Sequence, residues 1–467
     1  MKFNFKKNIT ALALSLVVGA FGIGLTSCSQ WADTSLNISP NNPADVGLAQ
    51  LLPSAQGAMG YTFGGDLYRY VSLWTRHHAG TDRQHLSYYQ YVMDETNVDT
   101  YWSNCYANVM KDLSVLITKA DQLQAPHYRG LARILMAMSL ANVTDVYGDV
   151  PYSQAFAGDA GNTAPTYDTQ QNIYTTIQTL LDGGIADLNA TTSAFSPGSD
   201  DIMLPASLTQ ANRRATWIRI ANTLKARYAL RLSKRNGATA SQTALTALNS
   251  GMTSNADNVR VVFGPDASTA NPLFQFNNQR GDMRMDTYFV TLLNTLNDPR
   301  RTPIVGTASP AGPNPGPFYA SINSPVIMCH FAEAEFLQAE ALFRTGNLAQ
   351  ARIEHIVGVR AALEMLGITG AAADAYVTQA TVAPNPITLD AIMTQKYIAN
   401  YYNVESYNDW RRTGLPVVPL APGALLAAIP RRFPMPQQER LYNAANYPSA
   451  AADSRSWMLT RVWWDAP

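Results

Sequence analysis

Phe331-Ala-Glu-Ala-Glu-Phe-Leu-Gln-Ala-Glu-Ala-Leu342 is the stretch of sequence that decides the fold. Its alanine, leucine and glutamate residues are strong helix formers, and no glycine or proline interrupts them. Thr345-Gly346-Asn347 then turns the chain, and the apolar pattern of Leu348–Leu363 predicts a second helix. The sequence therefore predicts a helical hairpin, in which the small side chains of Ala339 and Ala351 let the helices pack closely.

This hairpin has the size of one repeat of a helical solenoid. A helix, a Gly-Asn turn and a helix in about 34 residues resemble a tetratricopeptide unit. One hairpin cannot bury its own apolar faces, so neighbouring helices must stack on it. Amphipathic apolar patterns predict such neighbours at Thr100–Gln124, Tyr167–Leu188 and Thr216–Ser233, and the composition of Tyr128–Val143, rich in Ala, Leu and Met with little polar interruption, predicts a buried helix.

The predicted fold class is therefore all-α, a scaffold of tetratricopeptide-type helical hairpins with long irregular loops. We expect hairpins over about 97–250 and 323–412, and loop-rich regions over about 62–96 and 251–322. Within these bounds, 237–279 reads as loops, Arg284–Asn297 as a helix and 302–322 as an irregular loop rich in proline and glycine.

The N-terminus has the pattern of a bacterial lipoprotein signal. Three lysines precede an apolar run from about Ile9 to Leu25, and the run ends in Leu25-Thr-Ser-Cys28, which looks like a lipobox. We expect residues 1–27 to be a signal peptide, Cys28 to be lipidated, 28–44 to be a polar tether and 45–467 to be the helical domain. The alternative is an ordinary secretory signal in which Cys28 is a chance residue.

Composition limits the class of partner. Removal of the signal lysines leaves 31 basic residues against 34 acidic ones, and a net charge of −3 argues against a nucleic-acid partner. Cys105 and Cys329 lie in apolar helical patterns, which favours buried free thiols over a disulfide. The 23 tyrosines and 8 tryptophans suit stacking on sugars or gripping peptides, although most of them must belong to the core.

Three stretches together resemble the SusD/RagB family of nutrient-binding outer-membrane lipoproteins. The first is Asp145-Val-Tyr-Gly-Asp-Val-Pro-Tyr-Ser-Gln-Ala-Phe156, where Gly148 can take a positive φ and Pro151 stops the helix. The second is the Glu-rich helix with its Gly-Asn turn. The third is Gln395–Gly414, which ends in Trp-Arg-Arg-Thr-Gly, followed by Ile429-Pro-Arg-Arg-Phe-Pro-Met-Pro436.

The third stretch also carries charged residues for which we expect a structural role. Asp409, Arg411 and Arg412 near a helix end suit ion pairs and compensation of the helix dipole, so they should hold the fold and not touch ligand. Trp463 and Trp464 in the C-terminal tail are likewise expected to be packed.

The resemblance implies a function. It predicts a lipid-anchored outer-membrane protein, exposed at the cell surface, that binds a nutrient and delivers it to a SusC-like TonB-dependent transporter. A glycan is the favoured ligand, and a peptide, as for a RagB-like protein, remains an alternative. A further alternative is a tetratricopeptide-type scaffold that binds only a protein partner. We expect no cofactor and no catalysis, since no Gly-x-Ser-x-Gly, His-Glu-x-x-His or P-loop motif is present.

Two regions are predicted to bind ligand. In Trp74–Tyr91, rings can stack on the apolar face of a sugar while arginine and amide groups bind its hydroxyls. The second region is Phe274–Arg284 together with the loop as far as Tyr319. The candidate ligand-binding residues are Trp74, Arg83, Tyr88, Tyr89, Asn278, Arg280 and Tyr319.

His77, His78 and His85 also lie in the first region and invite a metal hypothesis. Their spacing does not enforce ligand geometry, and neither Cys105 nor Cys329 is near them in sequence. We therefore predict no metal site.

Overall fold

The computed structural model describes residues 46–466 of the chain. The predicted signal peptide, the lipidated Cys28 and the tether all lie outside these described residues and stay predictions. Within the described range, no helix is both long and apolar enough to span a bilayer.

The described residues form helices joined by short segments, with a few very short strands. Two π-helical segments, Phe63–Leu67 and Asn104–Met110, continue the α-helices on either side of them without a break. The first half contains α1 (Leu48–Thr62), α2 (Tyr68–Trp74), β1 (His78–Gly80), α3 (Arg83–Tyr89), α4 (Asp99–Ser103), α5 (Lys111–Gln122), α6 (Pro126–Tyr147), α7 (Gln170–Leu188), α8 (Gln210–Arg231) and α9 (Ser233–Leu248). The second half contains β2 (Val259–Val261), α10 (Pro272–Arg280), β3 (Met283–Met285), α11 (Thr287–Thr295), α12 (Arg301–Ile304), α13 (Pro317–Ala320), β4 (Val326–Cys329), α14 (Phe331–Arg344), α15 (Leu348–Met365), α16 (Ala371–Val377), α17 (Leu389–Ala399), α18 (Val404–Thr413), α19 (Gln437–Tyr442) and α20 (Ser454–Leu459).

The predicted hairpin is present as α14 and α15. The His330 side chain caps α14 by accepting a hydrogen bond from the amide of Glu333, and Gly346 makes the turn at φ +87°. At Gly358 in α15, an added Cβ would lie 3.2 Å from a side-chain atom of Glu335 in α14. The two helices are therefore in close contact, and the all-α prediction is confirmed.

Neighbouring helices extend this hairpin into a row. In order, α5, α6, α7, α8, α9, α14 and α15 each pack against the next, and α17 also packs on α14. Within this row the first half meets the second at α9, much of which the sequence pattern assigned to loops. That assignment is wrong because α9 buries alanines, which give a weak apolar signal. The contact contains Ala226, Ala229, Leu230, Ala244, Ala247, Leu337 and Ala341.

The expectation of a loop-rich region over 62–96 is also wrong. The end of α1, a π turn, α2 and α3 account for much of this range. The π segment contains Gly64 and Gly65 and shifts the helical register, which conceals the apolar periodicity from a 3.6-residue pattern. By contrast, 251–322 contains only short helices and strands separated by irregular segments, and the predicted helix at Arg284–Asn297 is present as α11.

Two short antiparallel ribbons join distant parts of the chain. In the first, β1 pairs with β3, and His78 lies opposite Met285 while Gly80 lies opposite Met283. In the second, β2 pairs with β4. The first ribbon determines the position of the candidate site, because it brings residues near 80 beside residues near 284.

The three family-like stretches meet inside the protein. Arg411 Nη1 donates to the carbonyl oxygen of Asp145 at 2.7 Å, and Arg412 Nη2 donates to Glu340 Oε2 at 2.6 Å. Asp409 and both arginines are buried, as expected for a structural role. Gly148 ends α6 at φ +91°, also as predicted.

The remaining expectations for the core concern the cysteines and the tail. Cys105 and Cys329 are free and buried, which confirms the prediction. Trp464 is fully buried, whereas Trp463 is half-buried.

Candidate functional site

The β1–β3 ribbon brings the two predicted ligand-binding regions together. Beyond the paired residues, the amide of Thr81 donates to the carbonyl oxygen of Asp282 at 2.9 Å. Residues that follow β1 and residues that precede β3 are therefore adjacent, although about 200 positions separate them in sequence.

Three of the seven predicted residues are exposed, and they lie on two elements that meet there. Arg83 begins α3, while Asn278 and Arg280 belong to the last turn of α10. The guanidinium of Arg83 donates to the carbonyl oxygen of Arg280. We call Arg83, Asn278 and Arg280, with the half-buried ring of Phe276, the Arg83 surface.

The backbone holds Arg83 in an unusual conformation. Its φ is +50°, in the left-handed region, and Asp82 Oδ1 accepts a hydrogen bond from its amide at 2.8 Å. Gly80 explains the tight approach, since a Cβ there would lie 2.0 Å from the carbonyl oxygen of His85. Left-handed non-glycine residues cost about 1–3 kcal/mol and cluster at functional sites, so this strain supports a functional role.

A buried carboxylate lies directly beneath the surface. Asp282 is 1% exposed, its Oδ2 lies 3.4 Å from Arg83 Nε, and its Oδ1 lies 3.2 Å from His85 Nδ1. Neither oxygen has a well-aligned hydrogen bond within residues 46–466. Burial, reinforced by Arg69, lowers the pKa of His85 to about 4 although Asp282 opposes it. His85 is therefore neutral at pH 7, which leaves Arg83 to compensate the carboxylate.

Contacts with Arg69 and His85 hold the Phe276 ring at the base of the Arg83 surface. The Arg69 guanidinium lies 3.9 Å from the centre of the Phe276 ring, and the His85 ring lies 4.4 Å from it. Arg69 also forms an ion pair with Asp66. A cation–π contact of this kind holds the ring in place, so the exposed arginine and amide groups stand on a rigid base.

The four predicted aromatic contacts are not on this surface. Trp74 is fully buried and donates from Nε1 to the carbonyl oxygen of Tyr88 at 3.1 Å. Tyr89 donates to Asp286 Oδ2 at 2.7 Å, and Tyr319 packs its ring 4.8 Å from that of Tyr401. The prediction that these rings stack on ligand needs correction, because protein covers their faces. Residue type alone did not distinguish a packed ring from an exposed one.

The three histidines of the metal hypothesis are buried as well. His78 Nδ1 lies 2.9 Å from Ser72 Oγ and its Nε2 lies 2.6 Å from Tyr401 Oη, while His77 packs between aromatic rings. Across residues 46–466, no three His, Cys, Asp or Glu side chains come together as metal ligands.

A second concavity, lined by aromatic residues, was not predicted. Trp102, Tyr106 and Phe156 line it together with Lys111 and Glu439, and its volume is about 350 Å³. We call it the aromatic groove. The only local sign of it in the sequence is the pair of rings, Tyr152 and Phe156, that follows the helix stop.

The Arg83 surface has chemistry suited to recognition of oxygen-rich ligands. Arginine and asparagine offer several N–H donors, and an arginine can bind two oxygens at once. The half-buried Phe276 adds a small apolar area beside them.

Comparisons with known proteins give a consistent result. A SusD-like family model, described as "Starch-binding associating with outer membrane", matches residues 40–436. A chitin-binding protein of known structure is 24% identical, with a TM-score of 0.74 over 90% of this chain and 100% of that one. A SusD/RagB family protein from Bacteroides thetaiotaomicron is 23% identical, with a TM-score of 0.74 over 90% and 99%.

A chitin-binding SusD homolog from Flavobacterium johnsoniae is also similar. It is 23% identical, with a TM-score of 0.72 over 90% of this chain and 98% of its own. No curated protein matches the sequence significantly. At these identities the solved structures establish the fold alone.

Proposed function

Because the chain belongs to the SusD-like family, we propose that it is a surface lipoprotein that binds a glycan and delivers it to a SusC-like TonB-dependent transporter. The observation that carries the proposal is the Arg83 surface. Exposed Arg83, Asn278 and Arg280 come together there on a rigid base. The family description, which names starch and the outer membrane, supports a glycan as ligand and the outer membrane as location.

The mechanism is capture followed by transfer, without chemistry on the ligand. Donors carried on ordered helices bind sugar oxygens with little loss of backbone entropy, because the segments that carry them are already folded. Acyl chains on Cys28 would hold the protein close to the transporter, so a modest affinity is enough through effective concentration.

A glycan array with the mature chain tests the ligand class. We expect binding to neutral polysaccharides such as starch or chitin fragments. Binding to peptides with no glycan signal would contradict the proposal in favour of a peptide receptor. Release of shorter sugars during incubation with pure protein would contradict the absence of catalysis.

The partner and the anchor need separate tests. Affinity capture of the full-length protein from detergent-solubilised outer membranes should recover a TonB-dependent barrel. Recovery of other proteins without a barrel would favour an interaction scaffold. Mass spectrometry should find acyl chains on Cys28, and Cys28→Ser should release the protein from the membrane.

A further inference from the structure

The aromatic groove lies between three separate parts of the chain. The π-helical segment Asn104–Met110 and the start of α5 form one wall, and residues from Pro151 to Pro165 form the other. Glu439 of α19 also lines the groove. The volume of about 350 Å³ is at the lower end of the range for small-molecule sites, about 300–1,000 Å³.

Its rings form a continuous surface. The ring centres of Trp102 and Tyr106 are 4.6 Å apart, and those of Tyr106 and Phe156 are 6.2 Å apart with an interplanar angle of 33°. Tyr106 and Phe156 are half-buried, whereas Trp102 is 5% exposed and packs against Tyr106. The groove therefore presents ring area to a ligand.

One of these aromatic residues has a strained backbone conformation. Phe156 has φ +64°, in the left-handed region, and Lys111 Nζ donates to its carbonyl oxygen at 3.2 Å. The Tyr106 hydroxyl donates to the carbonyl oxygen of Pro151 at 2.8 Å. Strained residues and single π-helical turns are both found preferentially at functional sites, and here the two adjoin one cavity.

Polar groups of both signs border the rings. Lys111 forms an ion pair with exposed Asp159 at 3.2 Å. Glu439 Oε2 accepts from the Tyr167 hydroxyl at 2.6 Å, while its Oε1 accepts no hydrogen bond within the described part of the chain. A neutral polyhydroxylated ligand can donate a hydroxyl hydrogen bond to Glu439 Oε1 and accept one from Lys111, whereas a wholly apolar ligand would cover both charges without adding a hydrogen bond.

We propose that the aromatic groove is a second carbohydrate-binding site, which takes one or two pyranose units and is distinct from the Arg83 surface. The apolar face of a sugar ring stacks on Tyr106 and Phe156, and its hydroxyls bind Lys111 and Glu439. The choice of a carbohydrate as ligand rests on the proposed function, whereas the position of the site rests on the geometry of the groove.

Hydrogen–deuterium exchange of the full chain, with and without maltooligosaccharides or chitooligosaccharides, reports on the two sites separately. We expect sugar to protect 104–110 and 151–159 in addition to 272–280. Protection of the groove segments alone would support the second site and contradict the Arg83 surface. Protection of 272–280 alone, or protection of the groove only by a proline-rich peptide, would overturn the second site. If sugar protects neither the groove segments nor 272–280, both sites are overturned.

Substitutions then identify the groove residues. The double variant Asn278→Ala/Arg280→Ala serves as the background, because it removes two donors of the Arg83 surface. Adding Phe156→Ala or Phe156→Leu to it should weaken the remaining sugar binding by roughly 3- to 10-fold, the range of an aromatic contact. Phe195→Ala is the matched control, because Phe195 is 53% exposed and lies outside the groove. Equal affinity in the Phe156→Leu and Phe195→Ala proteins would contradict the proposal, since leucine keeps bulk but has no ring.

Discussion

Arg412 and Glu340 form a buried ion pair that joins α18 to α14. Arg412 Nη2 lies 2.6 Å from Glu340 Oε2, and the same guanidinium lies 2.6 Å from Asp409. Burial alone would raise the pKa of Glu340, but Arg412 outweighs it and lowers this pKa to about 2. The pair thereby fixes α18 on the helical hairpin of α14 and α15.

The first prediction concerns loss of that pair. Arg412→Met should lower the free energy of unfolding by about 3 kcal/mol, the lower end of the range for a broken buried pair, because the buried Glu340 then keeps only its ion pair with the half-buried Arg344. Urea denaturation at pH 7 measures this. Arg360→Met is the control: Arg360 and Asp374 form an exposed pair, worth at most about 1 kcal/mol. Equal losses in the two proteins would refute the structural role of the buried pair.

A second prediction follows from a buried histidine. His355 Nε2 donates to the carbonyl oxygen of Val382 at 2.9 Å, and burial lowers the pKa of His355 to about 4. In the unfolded chain His355 becomes protonated as the pH falls below about 6.5, whereas in the folded chain it stays neutral until about pH 4. The stabilising contribution is thus complete above pH 6.5 and is lost as the pH falls toward 4.

Urea denaturation between pH 8 and pH 4.5 tests this dependence. His355→Gln should make the free energy of unfolding less sensitive to pH across this range, whatever its stability at pH 8. Phe336→Leu is a suitable control, since Phe336 packs 5.6 Å from the His355 ring and does not titrate. An unchanged pH slope in His355→Gln would show that this histidine is not responsible.

Two glycines provide a matched test of the geometry at the Arg83 surface. At Gly80 a Cβ would clash with the backbone of His85, whereas at Gly57 in α1 nothing lies within 4 Å. Gly80→Ala should therefore destabilise the fold and weaken ligand binding. Gly57→Ala should stabilise the protein by about 0.4–1 kcal/mol. Thermal unfolding of both variants measures this, and a Gly80→Ala protein as stable as the unmodified chain would contradict the close approach.

The sequence predicted the scaffold more completely than the site. Strong helix formers, an uninterrupted apolar pattern and a Gly-Asn turn gave α14 and α15, because each signal is local. The sequence pattern did not predict most of helix α9, because the buried face of this helix is mostly alanine. The register shift at Phe63–Leu67 concealed a helical segment, because the apolar residues on either side of it do not keep the 3.6-residue spacing.

At the site, residue types were informative only for the charged side chains. Arg83, Asn278 and Arg280 are exposed, as arginine and asparagine usually are. Trp74 and Tyr319 are buried because tertiary packing, which a single sequence does not record, determines which rings face outward. The aromatic groove combines residues from three distant segments, so the local ring pair of Tyr152 and Phe156 could not predict it alone.

The most direct test of the central claim is the affinity of the mature protein for its best glycan in isothermal titration. Asn278→Ala/Arg280→Ala is the informative variant, because removal of Arg83 would also leave buried Asp282 without its compensating charge. Arg455→Ala, at an exposed arginine of α20, is the control. We predict a roughly tenfold loss of affinity in the double variant, equivalent to about 1.4 kcal/mol, and none in the control. Unchanged affinity in a folded double variant would contradict glycan binding at the Arg83 surface.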